Sequence, residues 1–177
     1  MSPSRSHTET LRFAYADPPY PGMAHIYRKH PDYGGEVDHA SLIRELETFD
    51  GWALSTSERA LGGVLAFCPW EAWDFRICVW RRGVSRPIGR SRIMYAWEPL
   101  LVKTPRWDSL PWISDTAFIP QHLSGQTIRG QKPAAFSEWM FGLLGLTPED
   151  ELTDLFPGSG AVSAAWESWR SKTRLSV

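Results

Sequence analysis

The chain has 177 residues, a net charge of −1 and two cysteines. That length fits one domain, 1–177, with a core large enough to need no disulfide or metal staple, and the balanced charge excludes a protein that recruits polyanions through its global field. No apolar run reaches the roughly 18 residues of a membrane helix, the first residues lack the apolar core of a secretory signal, and Cys68 and Cys78 lack metal-ligand spacing, so a soluble, reduced, cytoplasmic protein is expected.

Residues 1–9 are polar and predict a disordered arm. Leu11–Ala16 is an apolar run of strand length that stops at Asp17-Pro18-Pro19-Tyr20. A carboxylate, two prolines and an aromatic ring at a strand end make a rigid polar corner, because proline fixes φ near −65° and has no N–H. The Asp17 carboxylate and the carbonyl between the prolines can accept the two hydrogens of an exocyclic nucleobase amine, and Tyr20 can stack on the base. An ordinary proline-rich turn would read the same. Pro21–Glu36 lacks periodicity and predicts a loop long enough to contact substrate, with Arg28 and Lys29 among its cations. Asp38 then caps a helix over His39–Thr48, where Leu42, Ile43 and Leu46 fall at helical spacing.

Gly51–Ser57 predicts a second strand ending in small hydroxyls, Ser55 and Thr56 among them. Ser57 caps a helix over Glu58–Ala66 that Gly62 and Gly63 weaken. Phe75–Arg81 and Met94–Val102 predict two further strands. Glu98 is an acid inside the second apolar run, so it calls for a basic partner or a ligand. Residues 81–92 have no hydrophobic periodicity and predict a basic loop carrying Arg81, Arg82, Arg86, Arg90 and Arg92. The stretch from Arg76 to Arg106 holds a net +7, which fits either a surface for nucleic-acid phosphates or a solvated loop.

Thr104–Gly130 predicts no element. Lys132-Pro133 opens a helix, Ala134–Leu144, with proline in the first turn. Glu151–Phe156 predicts a strand, Pro157–Gly160 a glycine turn and Ala161–Arg170 a helix. Such a turn lets backbone pass close to a ligand, and the helix start offers free N–H groups. Trp52, Trp80, Trp97 and Trp139 fall inside elements and read as core, while Trp166 and Trp169 read as packing the last helix onto the sheet. Buried strands alternating with helices predict an α/β fold with its sheet covered on both faces. Closely spaced metal-ligating residues are lacking, and no metal is expected.

Taken together, Asp17-Pro18-Pro19-Tyr20, the late Lys132-Pro133 and the segment Asp154–Gly160 resemble the S-adenosylmethionine-dependent amino-methyltransferases. The resemblance is to their permuted branch, nearest small phage and bacterial members related to the MT-A70 group. It implies a Rossmann-like methyltransferase sheet entered at its fourth strand, with the Asp17 corner and the glycine turn at the ends of adjacent parallel strands. It also implies S-adenosylmethionine as cofactor and roles for individual residues. Asp17, Pro18, Pro19 and Tyr20 would hold the target amine. Phe156, Gly158, Ser159 and Gly160 would pack against the cofactor, and Lys132 and Pro133 would place its methionine end.

The implied substrate is N6 of adenine in DNA, with RNA adenine N6 or DNA cytosine N4 as alternatives. Arg81, Arg82, Arg86, Arg90, Arg92, Arg28 and Lys29 would face the nucleic acid. In that family a strand usually follows the glycine-turn helix and ends in an acid that binds the ribose. Here only Ser171–Val177 follow, so the sheet is expected to be truncated. The ribose would then fall to Asp154, Ser55 and Thr56, or to a second copy or partner subunit. The same gap fits a noncatalytic nucleic-acid-binding relative or a subunit of a heteromeric enzyme. A nicotinamide-dependent oxidoreductase fits poorly, because the third glycine and the acid about twenty residues on are missing.

Overall fold

The computed structural model describes residues 10–28, 34–87, 92–120 and 131–175. Among these residues six strands form one mixed sheet: β1 (Arg12–Ala16), β2 (Gly51–Ser55), β3 (Phe75–Pro87), β4 (Met94–Lys103), β5 (Thr116–Phe118) and β6 (Glu151–Asp154), in the order β5-β3-β4-β2-β1-β6. β1 pairs in parallel with both β2 and β6, β4 runs antiparallel to β2 and β3, and β5 is parallel to β3. Among the described residues four helices accompany the sheet: α1 (His39–Leu46), α2 (Leu61–Leu65), α3 (Ala134–Leu144) and α4 (Ala161–Arg174). Short 3-10 turns lie at Ala24–Tyr27, within the predicted loop, and at Trp107–Ser109.

Strand alternation divides the core in two, because successive side chains point to opposite faces. Phe13 and Tyr15 of β1 join Trp80, Leu100 and Val102 against α3 and α4, which contribute Phe136, Met140, Phe141, Val162 and Trp166. On the other face, Ala14, Ala16, Trp52, Leu54 and Leu101 meet Leu42, Ile43 and Leu46 of α1 and Val64 of α2. Fully burying one such large side chain contributes about 1.5–3 kcal/mol. The predicted α/β sheet with helices on both faces is what forms. Trp166 stacks on Trp169 at 5.4 Å, and both meet the Phe141 edge, so this pair joins α4 to α3 as well as covering the sheet.

Local signals set the element ends. Asp38 accepts the Ala40 N–H, capping α1 as expected. Pro133 sits at the cap of α3, directly before the predicted first residue Ala134, and its carbonyl accepts the N–H of Phe136. Gly145 closes α3 with a left-handed φ of 68°, and Leu146 N–H returns to the Phe141 carbonyl. At the amino edge of the sheet, Arg106 Nη2 lies 2.8 Å from Asp150 Oδ1, and the same carboxylate accepts the N–H groups of Leu11 and Thr147.

Two expectations need correction. Arg81–Pro87 belongs to β3 and is no loop: Arg81 pairs with Trp97 and Arg86 with Tyr95 across a register irregularity, so backbone pairing holds a segment that carries no apolar pattern. Of the rest of the predicted 81–92 loop, residues 88–91 lie outside the described residues, as does the 1–9 arm, while Arg92 is described and exposed. The helix after β2 spans only Leu61–Leu65; Ser57 Oγ still accepts the Ala60 N–H, but the glycine pair shortens the helix.

Candidate active site

The parallel strands β2, β1 and β6 end side by side, and the chains leaving β1 and β6 contribute to one place. β1 runs directly into Asp17. Tyr15 pairs with Asp154, and Leu155 N–H donates to the Tyr15 carbonyl, so the Asp17 corner and the glycine turn leave neighbouring strands at the same edge. α3 starts at this edge with Lys132, and α4 starts there after Gly160. In open α/β sheets this carboxyl edge is where ligands bind.

At the centre lies a cluster of alternating charges. The ammonium of Lys132, a residue only 7% exposed, sits 3.2 Å from Asp17 Oδ1 and 3.1 Å from Glu98 Oε2. Glu98 Oε1 accepts from Arg82 Nη1 at 2.7 Å, and Glu98 Oε2 also accepts from the Tyr20 hydroxyl at 3.1 Å. Trp80 and Phe136 face the ammonium at 5.3 and 5.6 Å, giving it an aromatic floor. Two anions and two cations thus share one largely buried cluster, a balance that makes the burial tolerable.

The charges shift one another. Burial pushes the Asp17 carboxyl above its usual range and Glu98 adds to this, although Lys132 pulls the other way. Burial would raise Glu98 too, but Lys132 and Arg82 outweigh it and hold this carboxyl low. Burial would lower the Lys132 ammonium; Asp17 and Glu98 outweigh it and hold the proton firmly. Asp154 has no cation of this kind, and burial, with Asp17 adding, pushes it up to about 6.

The glycine turn is open. Pro157, Gly158 and Ser159 are exposed, Phe156 is half-buried, and Gly158 and Gly160 take left-handed φ values of 46° and 71°. A side chain is strained in that region, so the tight turn depends on glycine at both positions. Gly160 also caps α4 without a capping side chain. The first amides of that helix therefore face the edge beside Asp154, whose Oδ1 accepts the Phe156 N–H.

The structure thus brings Asp17, Pro18, Pro19, Tyr20, Lys132, Pro133, Asp154, Phe156, Gly158, Ser159 and Gly160 to one edge. Ser55 and Thr56 end β2 at this edge but do not open onto it. Ser55 is buried and bonds Tyr15 Oη at 2.9 Å, and Thr56 is wholly buried. Of the basic residues, Arg81, Arg92 and Arg28 are exposed, and Arg81 lies over the Phe118 ring. Arg82 instead turns inward to Glu98. Lys29, Arg90 and the side chain of Arg86 lie outside the described residues. Glu98 belongs to the cluster although no site role follows for it from the motifs; its one sequence signal is an acid within an apolar strand. Among the described residues no group of three or more His, Cys, Asp or Glu side chains could hold a metal, and no helix is long and apolar enough to cross a membrane.

No family model matches the chain, and no curated protein matches it. Solved structures do. M1.HpyAVI in complex with SAM superposes with a TM-score of 0.62 at 16% identity, covering 91% of this chain and 79% of that one. A second structure of M1.HpyAVI gives 0.54 at 17% identity, covering 91% and 78%. At such identity the likeness is one of fold, and the fold is that of a Rossmann-like methyltransferase sheet.

Proposed function

We propose that this chain transfers the methyl group of S-adenosylmethionine to the exocyclic amine of a nucleobase, N6 of adenine in DNA, in the manner of the Asp-Pro-Pro-Tyr amino-methyltransferases related to the MT-A70 group. One observation carries the reading: the Asp17 corner and the open glycine turn leave adjacent parallel strands, and Lys132 pairs with Asp17 at that corner. Methyl transfer needs donor and acceptor held in line, and neighbouring strand ends supply that placement. The fold shared with M1.HpyAVI, crystallised with SAM, supports the same cofactor.

The residues present fit it. The exposed glycine turn and the uncapped start of α4 offer backbone N–H groups, Asp154 offers an acceptor for ribose hydroxyls, and Lys132, buried and shared by Asp17 and Glu98, would act on the methionine end from within that cluster. When bound, the cofactor supplies an electrophilic methyl on sulfur. The protein's own work lies on the base. Asp17 and the Pro18 carbonyl accept the amine hydrogens, which directs the nitrogen lone pair outward, and the charge that develops on nitrogen is balanced by Asp17. Tyr20 stacks on a base turned out of its duplex. Arg81, Arg92 and Arg28 provide phosphate contacts, and their number implies a salt-dependent affinity. Arg82 is withdrawn from that set by its pairing with Glu98.

The test is Asp17→Ala, with cofactor affinity measured by calorimetry beside turnover on duplex oligonucleotides. The expected result is retained cofactor binding with no turnover; full activity in that variant sinks the assignment. A noncatalytic relative, or a subunit that needs a partner, is favoured by two observations. β6 is the outer strand of the sheet among the described residues, and Ser55 and Thr56 are closed to a ribose. Cofactor binding without product in the wild type would select that reading.

A further inference from the structure

Glu98 stands where three side chains of the site converge. It belongs to β4, antiparallel to the ligand-bearing strands, opposite Trp80. Its two oxygens are divided: Oε1 takes Arg82 at 2.7 Å, while Oε2 takes the Tyr20 hydroxyl and the Lys132 ammonium, each at 3.1 Å. Lys132 also reaches Asp17 at 3.2 Å. The side chain of Glu98 is 13% exposed, less than the 22% of Asp17, so Glu98 lies behind the corner that would meet a base.

We propose that Glu98 is a positioning residue for the methyl-transfer site: it fixes the Tyr20 ring as the stacking platform and shares Lys132, leaving Asp17 free to accept the amine. The inference rests on the proposed methyl transfer and assigns a residue that the motifs leave out. Geometry gives the reason. The Asp17 corner carries both the amine acceptor and the stacking ring, but the prolines fix only its backbone. The Tyr20 ring still turns about its own side-chain bonds, and the hydroxyl contacts to Glu98 at 3.1 Å and to Lys132, itself held by Glu98, at 3.5 Å restrain it. An ammonium paired with Asp17 alone would hold that carboxylate against the substrate amine; a second carboxylate on the same ammonium divides the attraction. Arg82 neutralises the extra charge, which is why a second acid can be tolerated beside Asp17.

The test compares wild type with Glu98→Ala, Glu98→Gln, Tyr20→Phe and the Tyr20→Phe/Glu98→Ala double variant, using S-adenosylmethionine and an adenine-containing duplex. Glu98→Ala is expected to lower kcat about 100-fold, the scale of a small misplacement of reacting groups, with cofactor Kd changed less than about threefold. Tyr20→Phe keeps the ring and loses the anchor, for a loss of about tenfold. The double variant is expected to lose far less than the product of the two single losses, because Glu98 takes the hydroxyl at 3.1 Å and also holds Lys132, which reaches the same hydroxyl at 3.5 Å. Glu98→Gln keeps an acceptor for Tyr20 and is expected to recover part of the loss.

A merely structural glutamate would lower thermal stability while kcat stayed within about threefold of wild type. That outcome, or multiplying losses in the double variant, overturns the inference. Should Glu98→Ala fail to fold, Tyr20→Phe combined with Glu98→Gln carries the same coupling test. An inactive wild type removes the methyl-transfer reading, and this inference with it; an active wild type with an unaffected Glu98→Ala removes this inference alone.

Discussion

Lys132→Met is the substitution whose consequence the structure defines best. Lys132 touches two carboxylates, at 3.2 and 3.1 Å, and methionine keeps its length and apolar stem against Trp80 and Phe136 while removing the charge. At an effective dielectric near 20 each contact is worth about 5 kcal/mol before desolvation. Removing the cation ends the desolvation cost of the ammonium but leaves Asp17 and Glu98 facing each other, with Arg82 reaching only the second. The expected net loss is about 3–5 kcal/mol at pH 8, the range for a broken buried pair. Its pH dependence is the distinguishing feature. Without Lys132 both carboxyls are held protonated to higher pH in the folded than in the unfolded chain. Falling pH therefore favours the folded variant, and its deficit against wild type shrinks between pH 8 and pH 5. Urea denaturation at both pH values reads this directly, with Lys132→Arg as the charge-retaining control. A loss below about 1 kcal/mol at pH 8, the value of a surface pair, would refute the reasoning, as would a deficit equal at both pH values.

Asp154, whose carboxyl is pushed up to about 6, should destabilise the fold above that pH. Asp154→Asn is expected to be more stable than wild type by about 1–3 kcal/mol at pH 8, with the advantage fading as pH falls through 6, measured by denaturant titration. Asp150 shows the opposite sign: burial raises it, but Arg106 and the Thr147 and Leu11 N–H groups hold it low. Its contribution is therefore present at neutral pH and lost on acidification below about 4, and Asp150→Ala is expected to cost about 3–5 kcal/mol at pH 7 and much less at pH 3. Trp166→Ala opens a cavity between Phe141 and Trp169 and is expected to cost about 3–5 kcal/mol by the same denaturant assay, with α3–α4 packing the first to loosen in hydrogen exchange.

The legible elements were those whose apolar pattern coincides with backbone punctuation. Ala134–Leu144 is read to the residue because Pro133 and Gly145 bracket it, and β1 is bounded by the Asp17 corner. The second half of β3 is illegible for the opposite reason. Arg81 and Arg82 are polar and Gly83 breaks the run, and the strand persists because β4 supplies backbone partners that only the fold brings near. β5 itself has three residues, too few for any periodicity. The site divides the same way. Asp17–Tyr20 and Phe156–Gly160 are contiguous and announce themselves, and their adjacency follows once β1 and β6 pair. The Lys132–Glu98–Tyr20 contacts span separations of 34 to 112 residues and depend on strand register, so only the anomaly of an acid in β4 hinted at them. Arg82 misleads for that reason: its charge suggests a phosphate, and its register gives it to Glu98.

The most direct test of the central claim is incubation of the full chain with isotopically labelled S-adenosylmethionine and defined duplex oligonucleotides, followed by nucleoside mass spectrometry. The account predicts labelled N6-methyladenine, absent when Asp17 is replaced by alanine. Bound cofactor with no methylated nucleoside on DNA or RNA would contradict it.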